Sequence, residues 1–225
     1  MFRFYLKVAR TVKNGIQGNN INKTKVNEMF GPCTTNTKVG FFDLDVNIHM
    51  NNSKFLEACE LGRWDFCAKN GMLKVWYNNL RNKENVGAVY PVIASCNIKF
   101  LKQIKYKEKY YIQTSITAVD DKYAYFEQKL YKHKSDKCAA IMFGKTAMLG
   151  RTKPHSSNFV VIPPKDVFQD MLNKKIFLID SDSSSIDCID GLAKYMPPVD
   201  KELLNWIELD RPNSVIICNN KKDNY

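Results

Sequence analysis

The sequence has no apolar run approaching the roughly 18 residues that a membrane-spanning helix needs. It has only three histidines, and its seven cysteines (Cys33, Cys59, Cys67, Cys96, Cys138, Cys188 and Cys218) form no C-x-x-C pair. That excludes a zinc ribbon or finger, and no metal is expected. An odd number of cysteines without a secretory leader fits reduced thiols in an intracellular protein. The expected location is cytoplasmic, with a mitochondrial or other organellar site as the alternative offered by a basic N-terminus. No phosphate-cradling Gly loop and no Ser-His-Asp constellation is present, so nucleotide chemistry and serine hydrolysis lack support. A helix-turn-helix pattern, an RNP-like strand pair and a compact Arg cluster are missing too, so no nucleic-acid partner is expected. No internal repeat is visible.

What is present is globular. A chain of 225 residues that is 44% hydrophobic and 25% charged is neither collagen, nor a coiled coil, nor wholly disordered. The net charge of +11 is unevenly placed. Residues 1–30 carry six basic side chains (Arg3, Lys7, Arg10, Lys13, Lys23 and Lys25) against the single acid Glu28. Residues 164–225 carry more acids than bases. A positive front and middle attract anions: nucleic acid, anionic lipid or a phosphorylated small molecule.

Periodicity sets the elements. Residues 2–16 fit a basic amphipathic helix, with Arg3, Lys7, Arg10 and Asn14 on one side. Phe2, Tyr5, Leu6, Ala9, Val12 and Ile16 fall on the other. Three readings stay open: an import presequence, a segment in peripheral contact with a membrane, or a helix packed on its own domain. A polar, Asn-rich linker follows from Gly15 to Thr24. Thr37–Leu44 reads as a strand. Asn and Ser caps then precede a helix over 53–69, where Phe55, Cys59, Gly62 and Phe66 form a buried stripe, widened by Ala58, Leu61 and Trp64. Asn70-Gly71 stops it. A short helical stretch over 72–80 follows.

Strands are expected from Val86 to Leu101, Tyr110 to Val119, Tyr123 to His133 and Cys138 to Leu149, joined by polar turns. One strand, a buried helix and a four-strand antiparallel meander is an α+β layout. Short helices are expected at 164–173 and 201–209, on either side of an acidic Ser/Asp loop near Asp180. The organisation reads as a basic N-terminal segment and linker (1–36), a central domain (37–163) and a C-terminal extension (164–225).

Three stretches carry a family pattern. Residues 43–63 read DLDVNIHMNNSKFLEACELGR, residues 119–130 read VDDKYAYFEQKL, and residues 197–207 read PPVDKELLNWI. They resemble hotdog-fold acyl-CoA thioesterases of the 4-hydroxybenzoyl-CoA thioesterase type, and within these the thioesterase superfamily member 6 family. The resemblance covers about 37–207. It implies a long antiparallel sheet wrapped around one central helix, a homodimer or dimer of dimers with its site between subunits, and acyl-CoA as substrate. It implies no cofactor beyond the coenzyme A carried by that substrate. Members of that family begin with an apolar membrane anchor, and Phe4–Arg10 is similar to the stretch that follows it, so surface contact is expected here rather than spanning.

Thioester hydrolysis needs a carboxylate that attacks or activates water, and a donor for the developing oxyanion. The resemblance places the carboxylate at Asp45. Backbone amides of Asn51, Asn52 and Ser53, at the dipole-positive start of the helix, are candidate oxyanion donors. His49 is a candidate for orienting substrate or donating a hydrogen bond, and Asn51 and Asn52 for holding the loop. Each also has a structural reading: Asp43 and Asp45 as turn formers, His49 as a hydrogen-bonded structural histidine, both asparagines as caps. Glu57, on the helix, is a spare carboxylate, and Arg63 has Glu60 as its expected partner. For the phosphates of coenzyme A, Lys99 and Lys102 are candidates, with Lys105 and Lys107 beyond; the bland reading is a solvated strand end. Tyr111, Tyr123, Tyr125 and Phe126 read as core first and acyl-chain lining second. A non-catalytic acyl-CoA- or lipid-binding dimer and a membrane-surface scaffold are the rival functions.

Overall fold

The computed structural model describes residues 2–18, 29–73, 90–151, 158–173, 196–199, 201–209 and 215–217. The linker, most of the 72–80 stretch, the first residues of the 86–101 strand and the acidic loop near Asp180 lie outside the described residues.

Helix α1 spans Phe2–Gly18 and helix α2 spans Asn52–Lys69. Strands are β1 (Cys33–Lys38), β2 (Tyr90–Phe100), β3 (Lys109–Asp120), β4 (Tyr123–Lys132), β5 (Cys138–Arg151), β6 (Phe159–Ile162) and β7 (Val215–Ile217). Two short helices, α3 (Pro164–Asn173) and α4 (Lys201–Leu209), fall where the sequence places them. Among the described residues all seven strands form one antiparallel sheet of order β1-β3-β4-β5-β2, with β6 extending the edge of β5 and β7 that of β3.

Helix α2 starts because Asn51 caps it: Asn51 Oδ1 accepts from the Ser53 amide at 2.9 Å. It stops at Asn70, whose amide donates to the Phe66 carbonyl at 3.0 Å, and Gly71 follows at φ +81°, where side chains are disfavoured. Between these caps Phe55, Cys59, Gly62 and Phe66 are all buried, together with Ala58 and Leu61. The alternate residues of the sheet meet them. Ile112, Leu130, Ala140 and Met142 pack at the Phe55 end, and Ile116, Phe126 and Met148 at the Phe66 end. Burying one such aromatic side chain contributes about 2–3 kcal/mol. Gly62 lets helix and sheet close together. A Cβ there would come within 2.9 Å of Thr114 Oγ1, 3.0 Å of Gln128 Nε2 and 3.1 Å of Ile112 Cγ2. Helix α3 completes one end, with Phe168 edge-on to Phe30 at 5.3 Å.

The register of the meander shifts at three places, between Ile93 and Ser95, between Leu130 and Tyr131, and in the β3–β4 pair. The β3–β4 register shifts between Ile116 and Ala118. The extra residue, Thr117, turns Ala118 to the outer face, where it joins Tyr125 and Phe143. Helix α4 covers that outer face with Leu203 and Ile207, joined by Val199 just before it, and Trp206 lies edge-on to Tyr125 at 6.3 Å.

Three expectations are corrected. The first strand is Cys33–Lys38, not Thr37–Leu44: the apolar spacing of Val39, Phe41 and Leu44 imitates a strand, but the Asp43 carboxylate accepts from the Gly40 amide at 2.8 Å and folds Phe41–Asp43 into a 3-10 turn. Helix α1 packs by a different side. Phe4, Val8, Thr11 and Val12 are half-buried and Gly15 is buried against Ala68, while Tyr5, Leu6 and Ala9 stay exposed. Packing needs the smooth stripe ending in Gly15, where a Cβ would come within 2.8 Å of the Ala68 Cβ. The expected linker also starts later, since α1 runs on to Gly18.

Candidate active site

The Asp-x-Asp segment becomes a closed loop at the foot of α2. Leu44 bridges Met50, and the Asn51 amide donates to the Asp43 carbonyl at 2.8 Å, so the loop begins and ends beside the helix cap. The Met50 amide donates to the Ile104 carbonyl at 2.9 Å, and His49 bridges Lys105, which fixes the loop to the segment after β2. Within it the Asp45 amide donates to the His49 carbonyl at 2.8 Å and the Ile48 amide to the Asp45 carbonyl at 3.1 Å. Ile48 takes a left-handed φ of 60°, a costly conformation for a β-branched residue.

Asp45 is half-buried and divided in its duties. Its Oδ1 accepts from the Asn47 amide at 2.9 Å and the His49 amide at 3.2 Å. Its Oδ2 accepts nothing among the described residues. The carboxylate therefore forms the turn with one oxygen and leaves the other unbonded among the described residues. His49 is half-buried, and its Nδ1 is shielded from solvent without a partner. Asp43 differs in being tied to a cation: its Oδ2 caps Gly40 and lies 3.6 Å from Lys7 Nζ.

The candidate oxyanion donors narrow. The Asn51 amide is committed to Asp43 and the Ser53 amide to Asn51 Oδ1. Lys54 N donates to the Asn51 carbonyl at 2.8 Å. Asn52 N–H is the first-turn amide with no partner among the described residues. Asn51 is a cap by geometry, as its side chain also accepts from Ser53 Oγ at 2.9 Å.

Other candidates are placed elsewhere. Glu57 pairs with Lys54. With Asp43, Met50, Tyr110 and Phe4 the two line a pocket that holds about one water molecule. Burial and the nearby Asp43 charge push the Tyr110 phenol there well above its usual pKa. Arg63 does not hydrogen-bond Glu60. Its Nη1 donates to Gln128 Oε1 at 2.7 Å and reaches Met142 Sδ at 3.7 Å, because the helix turns this position toward the sheet. Gln128 Nε2 in turn donates to the Cys59 carbonyl at 2.8 Å and Thr114 Oγ1 at 2.9 Å. Sequence reasoning missed this bolt. Its signal is a glutamine between Phe126 and Leu130, on the inward face of an apolar strand. Lys99 is paired with Glu202 of α4 at 2.9 Å rather than open at a strand end, and Lys102 is exposed. Tyr125 and Phe126 are buried on opposite faces, and Tyr111 stacks on Tyr131 at 5.2 Å.

A curved antiparallel sheet around a buried helix, with a half-committed aspartate at the helix foot, defines a hotdog fold of the thioesterase kind. The chain matches the thioesterase-like superfamily over residues 39–207 and belongs to that family. It is 23% identical over 187 residues to Protein THEM6 of Xenopus laevis, covering 80% of this chain and 72% of that one. It is 25% identical over 191 residues to probable thioesterase YBR096W of Saccharomyces cerevisiae, covering 80% and 76%. Among solved structures it resembles the YbaW probable thioesterase of Escherichia coli at a TM-score of 0.49 and 17% identity, over 64% of this chain and 95% of that one. A mutant 4-hydroxybenzoyl CoA thioesterase complexed with 4-hydroxybenzoyl CoA gives 0.48 and 14%, over 61% and 96%.

Proposed function

We propose that this protein hydrolyses acyl-CoA thioesters to the free acid and coenzyme A, with Asp45 as the catalytic carboxylate. The observation that carries the reading is the unspent Oδ2 of Asp45, held beside the α2 cap in a chain of the thioesterase-like superfamily. As general base, Oδ2 takes the proton of a water as its oxygen adds to the thioester carbonyl carbon. Negative charge collects on the carbonyl oxygen, facing the Asn52 amide. The C–S bond then breaks, and the thiolate takes up a proton. As nucleophile, Oδ2 itself adds to the carbonyl carbon and expels the thiolate, and water then cleaves the resulting anhydride. His49 orients the substrate, and Asn51 holds the helix start. Lys102, and Lys99 once released from Glu202, meet the phosphates of coenzyme A. No cofactor is required.

The working unit is a homodimer. Strand β2 has an unpaired edge among the described residues and is exposed on both faces, with Val92 44% and Phe100 42% exposed. An open edge of eleven residues is a template for a second copy.

The test is free-thiol release from acyl-CoAs of graded chain length. Asp45→Asn is expected to lower kcat by about 10²–10⁴-fold with the fold kept, since the amide oxygen still serves the turn. Unchanged turnover in that variant rejects the assignment. Acyl-CoA binding without thiol release by the parent chain would make it an acyl-CoA-binding member of the superfamily instead.

A further inference from the structure

The 3-10 turn leaves Phe41 69% and Phe42 70% exposed, edge-on to each other at 5.6 Å. Tyr106, 40% exposed, lies edge-on to Phe41 at 6.4 Å. Three neighbouring exposed aromatic rings are a costly surface feature in water. The start of α1 adjoins them: Lys7 reaches Asp43, one residue beyond Phe42, at 3.6 Å. There α1 shows Tyr5, 61% exposed, and Leu6, 54% exposed, on the side it does not pack. The charges around these groups are mostly positive. Arg10, Lys38, Lys105, Lys107 and Lys109 are exposed, and Lys107 Nζ lies 5.1 Å from the centre of the Tyr106 ring. Four acids lie nearby; of these Glu57 pairs with Lys54, and Asp45 accepts from the Asn47 and His49 amides. Asp43 serves Gly40 and Lys7; Glu108 pairs with Lys132 at 3.0 Å and accepts from the Lys105 amide at 2.9 Å.

We infer that this aromatic turn, with the outer side of α1, docks on an anionic lipid surface. Aromatic rings ringed by lysines suit the boundary between headgroups and acyl chains, where the rings leave water and the ammonium groups meet phosphate. A second copy of this chain would bring the same positive rim against itself and be repelled, and it has the open edge of β2 to pair with instead. Docking would set the Asp45 loop, which is bonded to the Tyr106 segment through His49 and Lys105, close to the bilayer. The inference does not depend on thioester chemistry.

Cosedimentation of the full chain with vesicles tests it. Binding is expected to phosphatidylcholine vesicles carrying phosphatidylserine, weakly to phosphatidylcholine alone, and to fall as salt rises. Phe41→Ser/Phe42→Ser is expected to weaken binding by about tenfold or more, and Phe41→Trp/Phe42→Trp to retain it. Lys105→Glu/Lys107→Glu is expected to weaken binding to the anionic vesicles by at least about tenfold. Circular dichroism of each variant checks that the fold is unchanged. Absence of binding to anionic vesicles, or equal binding by parent and serine variant, overturns the inference. A serine variant that changes the oligomeric mass in sedimentation while vesicle binding stays constant also overturns it, and assigns the surface to a second copy.

Discussion

The two ends of α2 treat their polar groups differently. At the C-terminal end side chains pair with one another and with the neighbouring strand. Asp65 is buried, and its Oδ2 accepts from Thr35 Oγ1 and from Lys69 Nζ, both at 2.6 Å. Lys69 also donates to the Thr34 carbonyl at 2.8 Å, and Asn70 uses both ends of its amide, on Met29 and Met72. Burial alone would pull the Lys69 pKa down, but the hydrogen bond to Asp65 and the pull of Cys33 and the Asp65 charge together outweigh it and hold the ammonium form. At the N-terminal end an aspartate oxygen, a shielded imidazole nitrogen and a backbone amide stand unspent within one loop and one helical turn. Folded chains pair nearly all their buried polar groups, and of these three His49 Nδ1 is the one shielded from solvent, which sets this end apart from the other.

Breaking the paired end should cost the most stability. Asp65→Ala strands a half-buried ammonium and is expected to lower unfolding free energy by about 3 kcal/mol in urea titration. Asp45→Asn, which only retunes the open end, is expected to change it by less than about 0.5 kcal/mol. Equal losses would erase the contrast. Midway along the helix, Gly62→Ala presses a methyl group on Thr114, Gln128 and Ile112 at once and is expected to cost about 1–3 kcal/mol by the same titration.

A further effect is one of pH. Burial pushes the Cys59 and Cys67 thiols up to about 12, against an ordinary value of 9.0. They stay protonated in the fold while unfolded thiols ionise. Their contribution is thus complete below pH 9 and is lost as pH climbs from there toward about 12. The Cys59→Ala/Cys67→Ala variant should show a flatter alkaline decline in unfolding free energy.

Much of this fold is legible in the residues, because α2 and the meander obey strict local rules. Caps, a Gly stop, a 3.6-residue stripe and two-residue alternation each leave a mark on the sequence. Helices α3 and α4 are legible by the same rules. The first strand is not, since Val39, Phe41 and Leu44 satisfy a strand pattern that one side-chain-to-backbone bond from Asp43 overrides. Nor is the packed side of α1, because the choice between two apolar stripes is made by a glycine contact with a distant helix. At the site, Asp45 is legible as a position but its divided oxygens are not. Which oxygen is spent depends on where the amides of Asn47 and His49 point, and the left-handed turn at Ile48 is invisible in composition. The pairing of Arg63 with Gln128 joins residues 65 apart and leaves no local trace.

Helix α4 has a further consequence. Lys99 ties to it through Glu202, and Tyr125 and Phe143 lie beneath it. Among the described residues this roof lies on the outer face around Tyr125 and Phe143, where a second sheet laid back to back would have to sit. The sideways pairing proposed through β2 would leave that roof in place, whereas piling pairs back to back on this face would require lifting it.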